Sequence, residues 1–184
     1  PPQTSKRREV LEPSQLGIVF AGWKLPPGKS TDLPALQVAS VILGAGDSAR
    51  LRQRIRAVDP ARKKPLGLDA AVPFLVREDP GVFLTIGVYR DAPDGDAVEA
   101  AMFDEVGKLA SKGPAADEVA RAKQQILAGF VLGMDDPAGL AEQLGQAWIL
   151  TGDPTTLGTE LATLDRVTAA DVKRLREMTG AGMM

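Results

Sequence analysis

The feature of this sequence that most constrains its fold is a pair of β-like runs joined by a tight-turn sequence. Residues 67–77 and 81–90 are rich in residues that favour strands, and they meet at REDPG. Asp, Pro and Gly in this order have the backbone preferences of a short turn, so the two runs predict an antiparallel hairpin. A third run, residues 15–24, has the length and the Ile, Val, Phe and Trp content of a strand and ends at Pro26-Pro27-Gly28. The chain is therefore expected to contain a β-sheet.

Most of the remaining chain has the apolar spacing of amphipathic helices. From Asp32 to Gly44 apolar residues recur at i, i+3, i+4 and i+7, with Ser30 or Thr31 as the candidate N-cap. Start signals at Asp136-Pro137 and Thr168, and stop signals at Gly113, Gly152 and Gly180, predict further helices at 96–112, 116–134, 137–151, 155–165 and 169–179. The whole pattern predicts an α+β fold of two layers, in which helices pack on one face of an antiparallel or mixed sheet.

A short arginine-rich helix is predicted at residues 48–58. Leu51, Ile55 and Val58 form its apolar stripe, and the arginines lie on the two flanks of that stripe. One flank carries Arg50 and Arg54, and the other carries Arg52 and Arg56.

The chain of 184 residues is long enough to bury a core, and one compact domain is expected. Residues 1–13 are polar and Pro-rich, which predicts a flexible arm or linker before a single domain at 14–184. No apolar run approaches the length of a membrane span, so a soluble protein is expected. Because the sequence begins at Pro1, any targeting signal has been removed or never existed, and the compartment stays open between the cytoplasm and the periplasm or cell envelope.

The complete absence of cysteine and histidine excludes whole classes of chemistry. Disulfides, thiolate nucleophiles and zinc thiolate sites require cysteine, whereas serine catalysis through an imidazole base requires histidine. Only Ser/Lys or carboxylate chemistry remains available to this chain.

Charge is distributed unevenly along the sequence. Residues 1–65 carry 12 Lys/Arg against 5 Asp/Glu, whereas residues 66–184 carry 10 against 19. An anionic ligand or a nucleic acid bound by the basic segment 50–64 is therefore one alternative function. With few aromatic residues for base stacking, we expect no nucleic-acid partner.

Two short motifs resemble nucleotide-binding signatures, and both fail on context. Gly28-Lys29-Ser30 matches the end of a phosphate loop, but Trp23 occupies the position of the required earlier glycine. Gly44, Gly46 and Ala49 match a dinucleotide fingerprint, yet a basic insert and a hairpin follow where a parallel strand is needed. These glycines are better explained as the end of one helix leading into the next.

Three other candidate sites have simpler interpretations. The sequence DAPDGD at 91–96 resembles a calcium loop but lacks the Glu that would complete it, so a turn and helix cap are favoured. Asp135-Asp136 is also interpreted as a cap. Ser48 has no suitably spaced lysine that could serve as its base, which argues against a nucleophile.

The order of motifs resembles one half of the zinc peptidases of the pitrilysin and insulinase family, which includes the mitochondrial processing peptidase. The likeness is carried by the strand GIVFAGWKLPP, then DLPALQVASVILGAGDSARLRQRIR, the hairpin, GPAADEVARAKQQILAGF and RVTAADVKRL. It covers about residues 14–179. The resemblance implies the metallopeptidase-half fold, in which two related α+β domains face one another.

The resemblance also implies a role without a metal. In the family, the first domain ordinarily carries H-x-x-E-H and a distant Glu for zinc and peptide hydrolysis, and this chain has no histidine. It therefore resembles the second, non-metal domain, which closes the chamber and holds the peptide extended. Zinc and H-x-x-E-H are expected in a partner domain, a peptide is the expected substrate, and association of two copies stays open.

Family members with a working second domain use an Arg and, seven residues later, a Tyr to contact the substrate. Arg56 matches this arginine, so the resemblance assigns it to substrate binding, with a solvated helix-flank arginine as the alternative. The tyrosine is missing, and Leu68 or a neighbour takes its approximate place. The loss favours an alternative function, a catalytically inert structural or docking module of the same fold.

The family fold normally returns a last strand to the sheet after the final helix. Here only TGAGMM follows, which predicts truncation before that strand and an exposed edge strand.

Overall fold

The computed structural model describes residues 14–78 and 81–174. The strands in these residues are β1 (Gly17–Lys24), β2 (Val58–Asp59), β3 (Lys64–Pro65), β4 (Asp69–Ala71), β5 (Phe74–Leu75) and β6 (Val82–Tyr89). The helices are α1 (Leu33–Gly44), α2 (Arg50–Arg56), α3 (Gly95–Lys112), α4 (Ala116–Gly133), α5 (Pro137–Thr151), α6 (Leu157–Arg166) and α7 (Ala169–Lys173). The predicted order of strand, two helices, hairpin and further helices is confirmed.

Strand β6 is the centre of an antiparallel sheet. Along one side it pairs with the whole of β1, from Gly17 opposite Tyr89 to Lys24 opposite Val82. Along its other side it pairs with β4 and then with β5. Pro73 lies between these two short strands, and because proline has no N–H it interrupts the ladder there. The predicted hairpin is thus confirmed, while Asp79 and Pro80 of its turn lie outside the described residues.

The helices pack on one face of this sheet. Trp23 of β1 and Phe83 of β6 point into the core, with their rings 6.1 Å apart. Gly87 of β6 lets α3 approach closely, since a Cβ at this position would lie 2.5 Å from Val98 and 2.8 Å from the sulfur of Met102. This arrangement confirms the predicted two-layer α+β fold.

The opposite face of the sheet is open in the described part of the chain, and its centre is apolar. Ile18 is 51% exposed and Phe20 is 61% exposed, although both belong to a fully paired region of β1. Their cross-strand neighbours on this face are Val88 and Ile86 of β6. The apolar content of these strands therefore exceeds what the helices on the inner face can cover.

Helix ends follow the predicted start and stop signals in most cases. The Asp136 carboxylate accepts hydrogen bonds from the backbone N–H groups of Ala138 (2.7 Å) and Gly139 (2.9 Å) and so caps α5. Thr168 and Asp171 exchange side-chain to backbone hydrogen bonds at the start of α7.

The predicted N-cap of α1 was wrong. Asp32 occupies that position without a side-chain cap, and the Ser30 hydroxyl instead accepts the Asp32 N–H at 3.2 Å.

The segment that joins α2 to the hairpin forms a structure that the sequence did not indicate. Strands β2 and β3 pair as a small antiparallel ribbon, in which Val58 is opposite Pro65 and Asp59 is opposite Lys64. Lys63 turns the ribbon with a positive φ of 56°. We call residues 58–65 the basic ribbon.

Several predictions concern residues outside the described ranges. These are the arm at 1–13, the stop signal at Gly180, the last residues of the helix predicted at 169–179, and the missing final strand.

Candidate peptide-contact site on helix α2

The turn between α1 and α2 sets the direction of the arginine-rich helix. Gly46 has a φ of 76°, a conformation that glycine adopts without strain, and the chain re-enters a helix at Arg50. Leu51 and Ile55 are fully buried, as the apolar stripe predicted, so the arginines are displaced to the flanks. Val58, the predicted third member of the stripe, is instead 63% exposed because the helix ends at Arg56.

Arg52 and Arg56 share two carboxylates, those of Asp47 and Asp69. Arg52 Nε lies 2.9 Å and Arg56 Nη2 lies 3.3 Å from the Asp69 Oδ1 oxygen. Asp47 Oδ1 lies 3.1 Å from Arg56 Nη1 and 3.8 Å from Arg52 Nη1. We call these four side chains the α2 cluster. The sequence predicted that the two arginines share one flank, and the structure brings them together there.

The α2 cluster also contacts the backbone of the first hairpin strand. Arg56 Nε donates to the Leu68 carbonyl at 3.2 Å, and Arg52 Nε lies 3.4 Å from the Ala70 carbonyl. These carbonyls flank the start of β4. The arginines therefore connect the helix to the edge of the sheet, where Leu68 lies beside Arg56.

The other flank of α2 has a purely structural contact. Arg50 Nε donates to Glu118 Oε1 at 2.6 Å, and a second hydrogen bond from Arg50 reaches Oε2. Glu118 Oε2 also accepts the backbone N–H of Ala115 at 2.8 Å, which caps the start of α4. The hydrogen bond from Arg50 lowers the pKa of the Glu118 carboxyl below its ordinary value, and it raises the pKa of Arg50.

The basic ribbon is tied to the start of α3 by its own ion pairs. Asp94, whose side chain is buried, lies 2.5 Å from Arg62 Nη1 and 2.8 Å from Lys64 Nζ. Asp91 binds the same lysine, and this hydrogen bond lowers the pKa of Asp91 and raises that of Lys64. The DAPDGD sequence therefore forms a turn and helix start, as predicted. The predicted side-chain cap is not formed, because the carboxylates of Asp91 and Asp94 bind the basic ribbon instead.

These contacts leave little free positive charge in the segment 50–64. Within the described residues, five of its seven cations have a carboxylate partner, and no ion pair there involves Arg54 or Lys63. The alternative that this segment binds an anionic polymer thus has few cations available to it.

The two apparent nucleotide signatures have structural explanations. Gly28 lies in the turn after β1, where its N–H donates to the Arg77 carbonyl at 3.0 Å. Residues 33–44 are helical rather than extended, so Gly44 ends a helix and Gly46 lies in the turn after it, with no strand before either glycine. A Cβ at Gly44 would lie 2.6 Å from Val72 Cβ, so close packing explains why this residue is glycine.

Ser48 is exposed and has no lysine among its described hydrogen-bond partners.

The donor set of this chain does not fit a zinc ion. Histidine and cysteine are absent from the sequence, and in the described residues no group of three or more Asp or Glu is placed to hold a metal. Over the same residues, no helix combines the length and apolar character needed to cross a membrane.

Sequence reasoning identified the arginines but not their partners. Asp47 and Asp69 come from a turn and from a strand, and no periodic signal connects them to α2. The only available hint was the position of Asp47 one turn before the helix.

The fold is a two-layer α+β domain, and within its described residues no group of acidic side chains is placed to hold a metal ion. Residues 1–126 match the family model described as the peptidase M16 inactive domain. The chain belongs to this family.

Known proteins with similar sequences or folds agree with this assignment. An uncharacterized zinc protease of Streptomyces coelicolor is 28% identical over 147 residues, which is 79% of this chain and 31% of that protein. A protease from Helicobacter pylori has the same fold, with a TM-score of 0.76 and 23% identity over 88% of this chain and 38% of its own. A peptidase M16 inactive domain from Pseudomonas fluorescens also has a similar fold, with a TM-score of 0.74 and 20% sequence identity. The match covers 89% of this chain and 38% of the Pseudomonas chain. The chain thus spans less than two fifths of each of these relatives.

Proposed function

We propose that this chain is the non-catalytic half of a zinc metallopeptidase of the pitrilysin type. In this role residues 14–184 act as one domain that closes the reaction chamber and holds an extended peptide for a partner domain bearing H-x-x-E-H. The observation that carries the proposal is membership of an inactive peptidase family by a chain without histidine or cysteine. Zinc and the activated water belong to the partner, and this chain contributes shape and hydrogen bonds.

The α2 cluster is the best candidate for contact with the peptide. The Arg56 side chain is 45% exposed and lies beside the start of β4, so it can reach a ligand without unfolding any element. Extended peptides bind at sheet edges through backbone hydrogen bonds, and a guanidinium adds a directed donor to carbonyl or carboxylate groups. These features support the substrate-binding role that the resemblance implies for Arg56.

The proposal is tested by peptide hydrolysis with and without the partner half. This chain alone should cleave no peptide in the presence of zinc, whereas the complex with its zinc-bearing half should cleave. In the complex, Arg56→Ala should lower kcat/KM by about tenfold or more, the usual effect of losing a charge-assisted hydrogen bond. Arg54→Ala is the matched control, because it removes an arginine of the same helix outside the α2 cluster.

One observation favours the alternative of an inert structural or docking module. All three guanidinium nitrogens of Arg56 already have partners within the chain, namely Leu68, Asp47 and Asp69. For such a module, Arg56→Ala would change thermal stability but not kcat/KM of any assembled peptidase. Zinc-dependent cleavage by this chain in isolation would overturn both functions.

A further inference from the structure

The two carboxylates of the α2 cluster differ in how firmly they are held. Asp69 lies in β4, contacts both arginines, and accepts the backbone N–H of Ala70 at 2.8 Å. Asp47 lies on the turn after Gly46, and its side chain is 89% exposed. Its described contacts are limited to Arg52 and Arg56, both through one carboxylate oxygen. Asp69 is therefore the fixed anchor, and Asp47 is the outer, replaceable partner.

The arrangement of charges at this position has the form of a carboxylate-binding site. Arg52 and Arg56 are four residues apart on a short helix, which places their guanidinium groups side by side. Asp69 orients both groups from the β4 side, and the oxygen of Asp47 occupies the position between their Nη1 atoms. Exposed ion pairs contribute little free energy, because water competes for both charges. A carboxylate from a bound ligand can therefore replace Asp47 at small cost.

We propose that Arg52 and Arg56 bind a carboxylate of the peptide, and that Asp47 occupies this site when no peptide is bound. The inference rests on the peptide-holding function proposed above and names its substrate class, peptides with an acidic side chain or a free C-terminal carboxylate near the β4 edge. Asp47 then acts as an internal competitor that lowers the affinity for peptides without such a group.

Fluorescence anisotropy with short labelled peptides tests the proposal on this chain. One peptide carries a central Glu and an amidated C-terminus, a second carries Gln in place of Glu, and a third has the Gln with a free C-terminal carboxylate. We expect at least one of the two carboxylate peptides to bind about two- to fivefold more tightly than the Gln amide, the range of an exposed ion pair. The preference should shrink as salt is added. The tighter of the two carboxylate peptides identifies the source of the group.

Single substitutions distinguish the role of Asp47 as a competitor from the role of the two arginines in binding. Asp47→Asn should tighten binding of the preferred peptide by about two- to fivefold, the range expected when an exposed ion pair no longer competes. Arg52→Gln should remove the preference for the carboxylate. Arg54→Gln should leave both affinity and preference unchanged. Because the preference is a ratio between peptides on the same preparation, it does not depend on the fraction of folded protein.

The outcomes for this inference and for the proposed function are distinct. Equal binding of the carboxylate and amide peptides, or weaker binding by Asp47→Asn, would overturn the carboxylate site while leaving peptide holding intact. Failure of every peptide to bind at any accessible concentration would count against peptide holding itself and against the site that rests on it.

Discussion

Gly44 matches a dinucleotide-binding motif, but close packing against Val72 explains why this position is glycine. The last residue of α1 lies against the backbone of Val72, and a Cβ there would meet the Val72 N and Cβ atoms. We therefore expect Gly44→Ala to lower the free energy of unfolding by about 1–3 kcal/mol through overpacking. Urea denaturation measures this change.

The matched control is Gly129→Ala in α4, where nothing lies within 4 Å of the added Cβ. Because alanine has a higher helix propensity than glycine, the free energy of unfolding of this variant should rise by about 0.5–1 kcal/mol. If the two substitutions had the same effect, packing would not explain the glycine at position 44.

Glu118 links two helices through one carboxylate, so its ionisation contributes to stability. Glu118→Gln keeps the shape but removes the charge that Arg50 binds, and we expect a loss of about 1.5–3 kcal/mol at neutral pH. The folded-state pKa of Glu118 is lowered by Arg50, so its contribution is present above the ordinary glutamate pKa. It is lost as the pH falls through the lowered value.

Urea denaturation at several pH values measures this dependence. The difference in the free energy of unfolding between wild type and Glu118→Gln should become smaller as the pH is lowered. Asp117→Asn is the control, since this neighbour is 75% exposed and lies 3.7 Å from Arg121, and its effect should stay below about 1 kcal/mol at every pH. A difference that grows in acid would contradict the assigned pKa shift.

At the scale of elements, local signals predicted most of the fold. Hairpin chemistry and helical periodicity located the sheet and the helices, because both depend on neighbours in sequence. The basic ribbon was missed for a physical reason. Its turn uses Lys63 rather than Gly or Asn, and it is held by Asp94, which is about thirty residues away and contacts it only in the folded chain. Asp69 escaped prediction as a partner of Arg52 and Arg56 for a similar reason, because only the folded chain brings β4 beside α2. Asp47 is close in sequence, but it lies in a turn that has no periodic relation to the helix.

The basic ribbon should therefore depend on Asp94. Asp94→Asn removes a buried charge that binds Arg62 and Lys64, and we expect faster backbone hydrogen exchange at residues 58–65. The free energy of unfolding should fall by about 1.5–3 kcal/mol. Hydrogen exchange read by mass spectrometry and urea denaturation measure the two effects.

Asp91→Asn is the corresponding control for the ribbon. Asp91 is 55% exposed and binds only Lys64 among its described ion-pair partners, so its loss should cost less than about 1 kcal/mol. Unchanged exchange in the ribbon of Asp94→Asn would show that the ribbon is held by other contacts.

At the scale of the whole molecule, the sheet is apolar on both of its faces while the described helices cover only one. Antiparallel sheets with one solvated face usually alternate apolar and polar residues, and β1 does not. Exposed apolar patches of this kind mark surfaces that bind other proteins or other parts of a longer chain. The outer face around Ile18 and Phe20 is thus an incompletely buried apolar surface of the sheet.

Two phenylalanines on neighbouring strands provide a direct test of this difference between faces. Phe83 is fully buried under the helices, and Phe20 is 61% exposed on the outer face. We expect Phe83→Ala to lower the free energy of unfolding by about 3–5 kcal/mol. Phe20→Ala should lower it by only about 1 kcal/mol, because folding removes little of the Phe20 side chain from water. Phe20→Ala should also reduce binding of a fluorescent apolar dye, since part of the exposed patch is deleted.

Urea denaturation of the two variants measures their free energies of unfolding. Fluorescence of the apolar dye, compared between the native chain and Phe20→Ala, measures the change in dye binding. Equal destabilisation would mean that the outer face is covered in solution, by another copy or by chain outside the described residues. In that case the stability of Phe20→Ala would respond to protein concentration if the cover is a second copy. A cost independent of concentration would instead identify a cover within the same chain.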